Sequence, residues 1–429
     1  MSKTKKRLGV ATLGCKVNQY DTDSVVTQFI EAGYTLVDFH DKADVYLINT
    51  CTVTNLADRK SRQMIRRAHK LNPEAKVVAM GCLAQVAPDK MAALEGVSLL
   101  VGTSGRDSIV QKIEALGRPG PDRLIEDIFQ VHEFEDLSAL DFSGRTRAVL
   151  KIQDGCEQFC TYCRVPYARG PSRSRNRESV LEQVRLLVAN GYQEIVLTGI
   201  HLGLYGRDLG SGTADLAQIT GEIADIPGLA RLRLSSIDPS EVSDQLIDLV
   251  AKHPVLCRHF HLPLQSGSDD ILRRMGRRYS SVQFQDVVAL IRSQIPKVAI
   301  TTDVMVGFPG ETEQDFTKTR QLSEKLAFSK MHVFQYSRRA GTAAAGFSQQ
   351  VAPNVKESRS KCLIKISDTA AEAFHKTFIG SEVDVLVEQA EAGHLIGHTD
   401  NYLRVRFKAA QNAAVGEMAA VRITAADGE

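Results

Sequence analysis

AVLKIQDGCEQFCTYC, residues 148–163, sets an apolar strand directly against three thiols. AVLKIQDG (148–155) is a short apolar run closed by a glycine, which marks a buried strand. Cys156, Cys160 and Cys163 follow at the spacing Cys-x3-Cys-x2-Cys. Soft thiolates this close together select zinc or iron–sulfur. A structural zinc ion wants a fourth Cys or His nearby, yet the first His downstream is His201. A cubane held by three cysteines instead leaves one iron open to an outside ligand.

Working outward, five more strand candidates follow: QEIVLTG (193–199), LRLSS (232–236), RHFHLPLQ (258–265), KVAITTDVMVGF (297–308) and MHVFQYS (331–337). Helical segments such as RESVLEQVRLLVANG and SSVQFQDVVALIRSQI lie between them. Six parallel strands with crossover helices make a partial (β/α)6 barrel, whose chemistry belongs at the C-terminal strand ends. The three cysteines stand at that edge.

Upstream, LGVATLG (8–14), VYLINT (45–50), KVVAMG (76–81) and VSLLVG (97–102) alternate with helices at 24–34, 59–71, from Pro88, and from Arg106. Such βαβα order predicts a doubly wound parallel sheet. Cys15, Cys51 and Cys82 each come just past the carboxyl end of one of these strands, where such sheets form their ligand crevice. Three independently buried thiols are the plain alternative, since cysteine is a common core residue. Their shared position at one end predicts convergence and a second three-thiol cluster. Cys257 and Cys362 stand alone and read as bystanders. A Gly/Pro and acidic linker separates the two α/β units, and from about 376 short strands with turn signals predict a small all-β module. The expected fold class is α/β, with domains at 5–118, 142–372 and 375–429.

Composition sets the outer limits. With 43% hydrophobic and 24% charged residues the chain has the makings of real cores, and no apolar run is long enough to span a bilayer. No signal peptide is evident, so a cytoplasmic protein without membrane association is expected. A disulfide framework for eight cysteines is then disfavoured against metal binding. Net charge is only +2, but basic runs at 59–70, 164–177, 273–279 and 404–408 suggest patches for a polyanion. Solvated helix faces are the plain alternative for any one of them.

The Cys-x3-Cys-x2-Cys loop after the first barrel strand resembles the radical S-adenosylmethionine superfamily. Together with TLGCKVNQYDTD, RVPYARG, HLPLQSGSDDILRRMGRRY, TTDVMVGFPGET and FQYSRRAGT, the whole chain resembles the methylthiotransferase family. That resemblance implies two [4Fe-4S] clusters, on Cys156, Cys160 and Cys163 and on Cys15, Cys51 and Cys82, with S-adenosyl-L-methionine on the open iron of the first. It implies a TRAM-like C-terminal module and a tRNA anticodon loop as partner, with an electron donor and a sulfur donor besides. Lys16, Val17 and His201 favour the branch that methylthiolates C2 of N6-threonylcarbamoyladenosine in tRNA. The alternatives are methylthiolation of isopentenyladenosine or of a ribosomal-protein aspartate, and, outside enzymes, an RNA-binding metalloprotein. For the cofactor, the resemblance implies contacts from Thr198 and Gly199 to the methionine amino group. Ser235 and Ser236 would serve ribose or carboxylate, while Val306, Gly307 and Tyr162 would pack on adenine, with Arg175 and Gln265 ranked behind them. At each position the plain alternative is a strand end or turn that the barrel itself requires.

Overall fold

The computed structural model describes residues 5–117, 120–139, 145–210, 212–409 and 413–426. β1 (Arg7–Thr12), β2 (Thr35–Val37), β3 (Val45–Thr50), β4 (Lys76–Gly81), β5 (Val97–Val101) and β6 (Asp122–Leu124) form one parallel sheet in the order β2-β1-β3-β4-β5-β6. The sheet has six strands rather than the four expected, because β2 and β6 are three-residue edge pieces too short to show an apolar run. Buried on both faces, β3 and β4 are almost continuously apolar, as parallel sheets require. Helix α1 (Lys16–Glu31) packs Val25, Val26 and Phe29 on one face, and α2 (Asn55–Leu71) packs Ile65 and Ala68 on the other. Helix α1 begins eight residues earlier than the expected start at Ser24.

The middle of the chain supplies β7 (Arg147–Lys151), the antiparallel ribbon of β8 (Gln153–Asp154) with β9 (Arg173–Ser174), then β10 (Glu194–Thr198), β11 (Arg231–Leu234), β12 (His259–His261), β13 (Ala299–Val306) and β14 (Lys330–Gln335). β7, β10 and β11 pair in parallel, as do β12, β13 and β14. The parallel bridges Leu232–Leu256 and Ser236–His261 join the two halves. Six barrel strands thus follow one another in chain order around a single apolar core.

Helix Pro353–Lys376 leads to an antiparallel sheet of β15 (Glu382–Glu391), β16 (His394–His398), β17 (Arg404–Lys408) and β18 (Met418–Arg422), ordered β17-β16-β15-β18. The domain ends expected at 118, 142 and 429 lie outside the described residues. Those at 372 and 375 fall within the last turns of one continuous helix. The loop after β16 closes the N-terminal end of the barrel. Arg233 donates to Asp400 O at 2.6 Å and Thr399 O at 3.1 Å, Arg231 donates to His398 O at 2.9 Å, and the Tyr402 ring lies 3.9 Å from the Arg233 guanidinium. Among the described residues no helix is long and apolar enough to cross a membrane.

One basic run is not a surface patch. Arg169, Arg173 and Arg175, from the 164–177 stretch, are buried. Arg169 lies 2.8 Å from Asp21 and 2.9 Å from Asp154, and Arg175 lies 2.6 Å from Asp136. Carboxylates take up the charges of Arg169 and Arg175, Arg173 donates to the Val131 carbonyl at 3.0 Å, and through Asp21 the N-terminal domain is fastened to the barrel. Arg106 and Lys151 complete the group, both 2.6 Å from Asp21.

Candidate functional site

Gly155 follows β8 at φ +77°, and a Cβ there would collide with the Pro171 carbonyl, so only glycine allows the chain to turn into the cysteine loop. Within the loop Cys163 N donates to Cys160 O at 2.8 Å, and Thr161 N donates to Met275 O at 2.9 Å. Each thiol has its own neighbour. Cys156 Sγ is 3.6 Å from His201 Nδ1, Arg277 Nη1 donates to Cys160 Sγ at 3.6 Å, and Val165 N donates to Cys163 Sγ at 3.4 Å. Arg277 is fixed by Asp238 at 2.5 Å, and His201 Nε2 by Glu241 at 2.9 Å. Burial lowers the His201 pKa, but Cys156 and Glu241 outweigh it and raise the value to about 9. Burial pushes Cys163 up to about 12 and also raises Cys160, against the pull of Arg277. Thiols this reluctant to ionise alone become thiolates when a metal cluster supplies the positive charge.

The second trio converges around Asn18. Its Nδ2 donates to Leu13 O at 2.8 Å and Thr50 O at 3.1 Å, which ties the ends of β1 and β3 together. Its Oδ1 lies 4.0 Å from Cys15 Sγ and 3.8 Å from Cys82 Sγ, and accepts from Arg169 at 2.7 Å. Gly14, at φ +112°, allows the approach, since a Cβ there would stand 3.2 Å from Cys51 Sγ. Burial, then the neighbouring Cys82, raises the Cys51 pKa to about 12, and burial raises Cys82 as well.

A cavity of about 560 Å³ runs from the barrel trio to the edge of the second: Cys156, Cys160 and Cys163 line it together with Cys15, while Cys51 and Cys82 lie behind it. Tyr162, Thr198, Gly199, Ser235 and Ser236 line it too, so five of the seven positions expected to touch the cofactor share one space with the barrel cysteines. Ser235 Oγ is buried there without a hydrogen-bond partner, a vacancy a polar ligand would fill. Val306 and Gly307 do not line this cavity. Val306 is buried in the barrel core, and Gly307 N donates to Glu311 at 2.6 Å. Arg175 instead binds Tyr20 and Asp136, and Gln265 bridges to Val304. Cys257 is buried near Arg233, and Cys362 packs against the barrel core from the long helix.

Among the described residues no three His, Cys, Asp or Glu side chains are arranged to hold a single metal ion. A cubane binds its thiolates at separate iron corners and needs them farther apart. Two trios of thiols, one beside a ligand-sized cavity with an unpartnered hydroxyl, have the donor chemistry for it. Sequence reasoning missed Asn18, Arg277, Asp238 and Glu241. Each is a polar residue inside a helix or loop that carries no spacing signal, and only the fold shows that it faces a thiol or holds a residue that does.

Three family models match the chain: Uncharacterized protein family UPF0004 over residues 7–102, the Radical SAM superfamily over 150–323, and the TRAM domain over 376–428. The chain is 42% identical over 419 residues to threonylcarbamoyladenosine tRNA methylthiotransferase MtaB of Bacillus subtilis (strain 168), covering 96% of this chain and 92% of that protein. It is 39% identical to the protein of the same name from Aquifex aeolicus (strain VF5), over 93% of this chain and 96% of that one. Against tRNA-2-methylthio-N(6)-dimethylallyladenosine synthase of Acetivibrio thermocellus identity is 33%, over 98% and 88%. Among solved structures, the radical S-adenosylmethionine methyltransferase TsrM from Kitasatospora setae matches with a TM-score of 0.58 at 16% identity, over 77% of this chain and 73% of that one, a likeness of fold.

Proposed function

This chain belongs to the MtaB family of radical S-adenosylmethionine tRNA methylthiotransferases, and from that premise we propose that it converts N6-threonylcarbamoyladenosine, in the anticodon loop of tRNA, to the 2-methylthio derivative. One observation carries the proposal: the barrel trio and Cys15, the nearest member of the second trio, line a single cavity. Sulfur insertion at an aromatic C–H needs a radical generator and a sulfur carrier within reach of one carbon, and this reading assigns one to each trio.

On this proposal Cys156, Cys160 and Cys163 hold a [4Fe-4S] cluster beside S-adenosylmethionine, and Cys15, Cys51 and Cys82 hold a second cluster. Bound there, these groups supply reductive cleavage of S-adenosylmethionine to a 5′-deoxyadenosyl radical and a carrier for the sulfur and methyl to be transferred. The protein's part is placement. Arg277 and His201 hold hydrogen-bond donors against two of the barrel sulfurs, and such contacts tune a cluster as well as orient its ligands. Thr198 and Ser235, buried at successive strand ends, offer hydroxyls to the cofactor. For RNA, α2 exposes Arg59, Lys60, Arg66, Arg67 and Lys70, and β17 exposes Arg404, Arg406 and Lys408. Single-stranded loops are bound by such basic surfaces, and reaching C2 takes the base out of its stack.

The test is nucleoside mass spectrometry after anaerobic reaction of the iron- and sulfide-reconstituted protein with S-adenosylmethionine, a reductant, and tRNAs carrying either threonylcarbamoyl- or isopentenyladenosine. Methylthio product on the threonylcarbamoyl nucleoside alone is expected. Product on the isopentenyl nucleoside instead would overturn the substrate assignment.

A further inference from the structure

We propose that the barrel lumen receives the N6 side chain of the substrate base and that Lys16 pairs with its threonine carboxylate. The inference rests on the substrate proposed above and assigns the residue that recognises it.

Lys16 opens α1 directly after Cys15. Its side chain is exposed, and among the described residues it takes part in no ion pair or side-chain hydrogen bond. Its position is unusual for a free lysine, because it borders three neighbouring cavities. One is the cysteine-lined space of about 560 Å³. Another, of about 610 Å³, runs down the barrel past His261 and Asp303 to Tyr402. A third, of about 320 Å³, lies against Val149 and Val196 on the β7–β10 side. The first two also share Ser235 and Ser236. The ammonium group therefore guards the passage between the cysteine mouth and the lumen. Burial first, and then positive neighbours that include Lys16, lower the pKa of His259, a lumen residue of β12.

The chemistry of the base matches this layout. C2 and C6 of adenine are in 1,3 relation across N1, so a base that presents C2 to the cysteines directs its N6 substituent away from them. A threonylcarbamoyl substituent carries urea N–H and C=O groups, a hydroxyl and a carboxylate. The 610 Å³ lumen offers volume for an amino-acid-sized group and the His261–Asp303 pair at 3.4 Å. The carboxylate needs a cation. Of the lysines and arginines that line the lumen, Lys330 already faces Asp368 at 3.5 Å and Arg404 stands on β17 and does not line the cysteine cavity, which leaves Lys16 as the one that borders both spaces. Between protein walls its charge is screened less than on an open surface. An isopentenyl group would leave that ammonium without its counter-charge, which is discrimination by an unmet polar group.

The test measures binding of the cluster-loaded protein to anticodon stem-loop RNAs that differ at one adenosine: threonylcarbamoyl, its methyl ester, and unmodified. Fluorescence anisotropy gives each Kd, and iron per chain confirms that both clusters are present. The wild-type protein should bind the acid roughly ten- to a hundredfold tighter than the ester, the range for a charge-assisted hydrogen bond. Lys16→Met should erase that preference while binding the ester as wild type does, and Lys16→Arg should restore part of it. Equal weakening of all three RNAs in Lys16→Met would overturn the inference, because Lys16 would then be touching phosphate. An undiminished acid preference in Lys16→Met would overturn it too, since another group would be reading the carboxylate. A wild-type protein that methylthiolates only isopentenyladenosine would instead overturn the substrate proposal on which the inference stands.

Discussion

Replacing Arg169 should destabilise the protein far more than any surface substitution, and removing Asp21 at the same time should cost less than the two changes apart. Arg169 is fully buried, with Nη1 2.8 Å from Asp21 and 2.9 Å from Asp154 and Nη2 2.7 Å from Asn18. Without it Asp154 keeps Lys151, and Asp21 keeps Arg106 and Lys151. Stripping one partner from a buried ion pair costs about 3–5 kcal/mol, so Arg169→Met should lose that much. The cost of Asp21→Asn has a separate scale. Burial raises the Asp21 pKa, but Arg106, Arg169 and Lys151 more than reverse this and hold it at about 2 against an ordinary 3.8. A carboxyl depressed in this way contributes stability in full above its unfolded pKa and loses it as the pH falls through its folded one, on the order of 2 kcal/mol at neutral pH. Groups in one network couple by about 0.5–3 kcal/mol, and the double variant should fall short of the sum by an amount in that range. Urea unfolding of the cluster-loaded proteins under anaerobic conditions, followed by far-ultraviolet circular dichroism, reads all three. A loss below ~1 kcal/mol for Arg169→Met, or strict additivity in the double variant, would refute the reasoning.

Two further outcomes follow from separate parts of the molecule. His259 has its pKa lowered well below 6.5, by burial first and then by Arg233. The unfolded chain therefore takes up a proton that the folded one refuses, and stability should fall as the pH drops below 6.5. His259→Gln should flatten that slope in a thermal melt series, and an unchanged slope would remove His259 as its source. On β17, Arg406→Gln should reduce the slope of log K against log salt for tRNA binding by about 1, as expected for one phosphate contact. An unchanged slope would take β17 out of the RNA interface.

The apolar parts of the fold were legible because their periodicity is. Runs such as VYLINT and KVVAMG lie in the sheet within a residue of their expected bounds, and all six barrel strands occur in the expected order. The start of α1 was not legible. Asn18, Asp21, Thr22, Asp23 and Ser24 are all buried, so the segment looks like a loop by hydropathy although it is core by position. Its partners lie as far away as Lys151 and Arg169, and no local pattern announces a polar core satisfied from another domain. The same blindness made 164–177 resemble a nucleic-acid patch. A run of arginines reads identically whether its counter-charges are phosphates or buried carboxylates. The cysteines could be found because strand ends place them, whereas Arg277 and Glu241 act on the site through Cys160 and His201 and leave no spacing to detect.

Why this interface is ionic follows from what it has to align. Two cysteine trios sit on different domains, and the chemistry proposed between them tolerates little error in their separation. An apolar interface would hold the domains together but would accept small slides, since dispersion contacts are non-directional. A buried cluster of charges accepts none, because each displaced partner leaves a desolvated ion. Arg169 spans the gap directly. One nitrogen meets Asp154, two residues before Cys156, and the other meets the Asn18 oxygen that lies between Cys15 and Cys82. The two trios are thus registered through a single guanidinium. If registry is its role, Arg169→Lys, which keeps the charge but loses the planar fork, should retain most of the stability and both clusters yet lower methylthio product per 5′-deoxyadenosine formed. Stability and coupling that fell in proportion would reduce Arg169 to a structural ion pair.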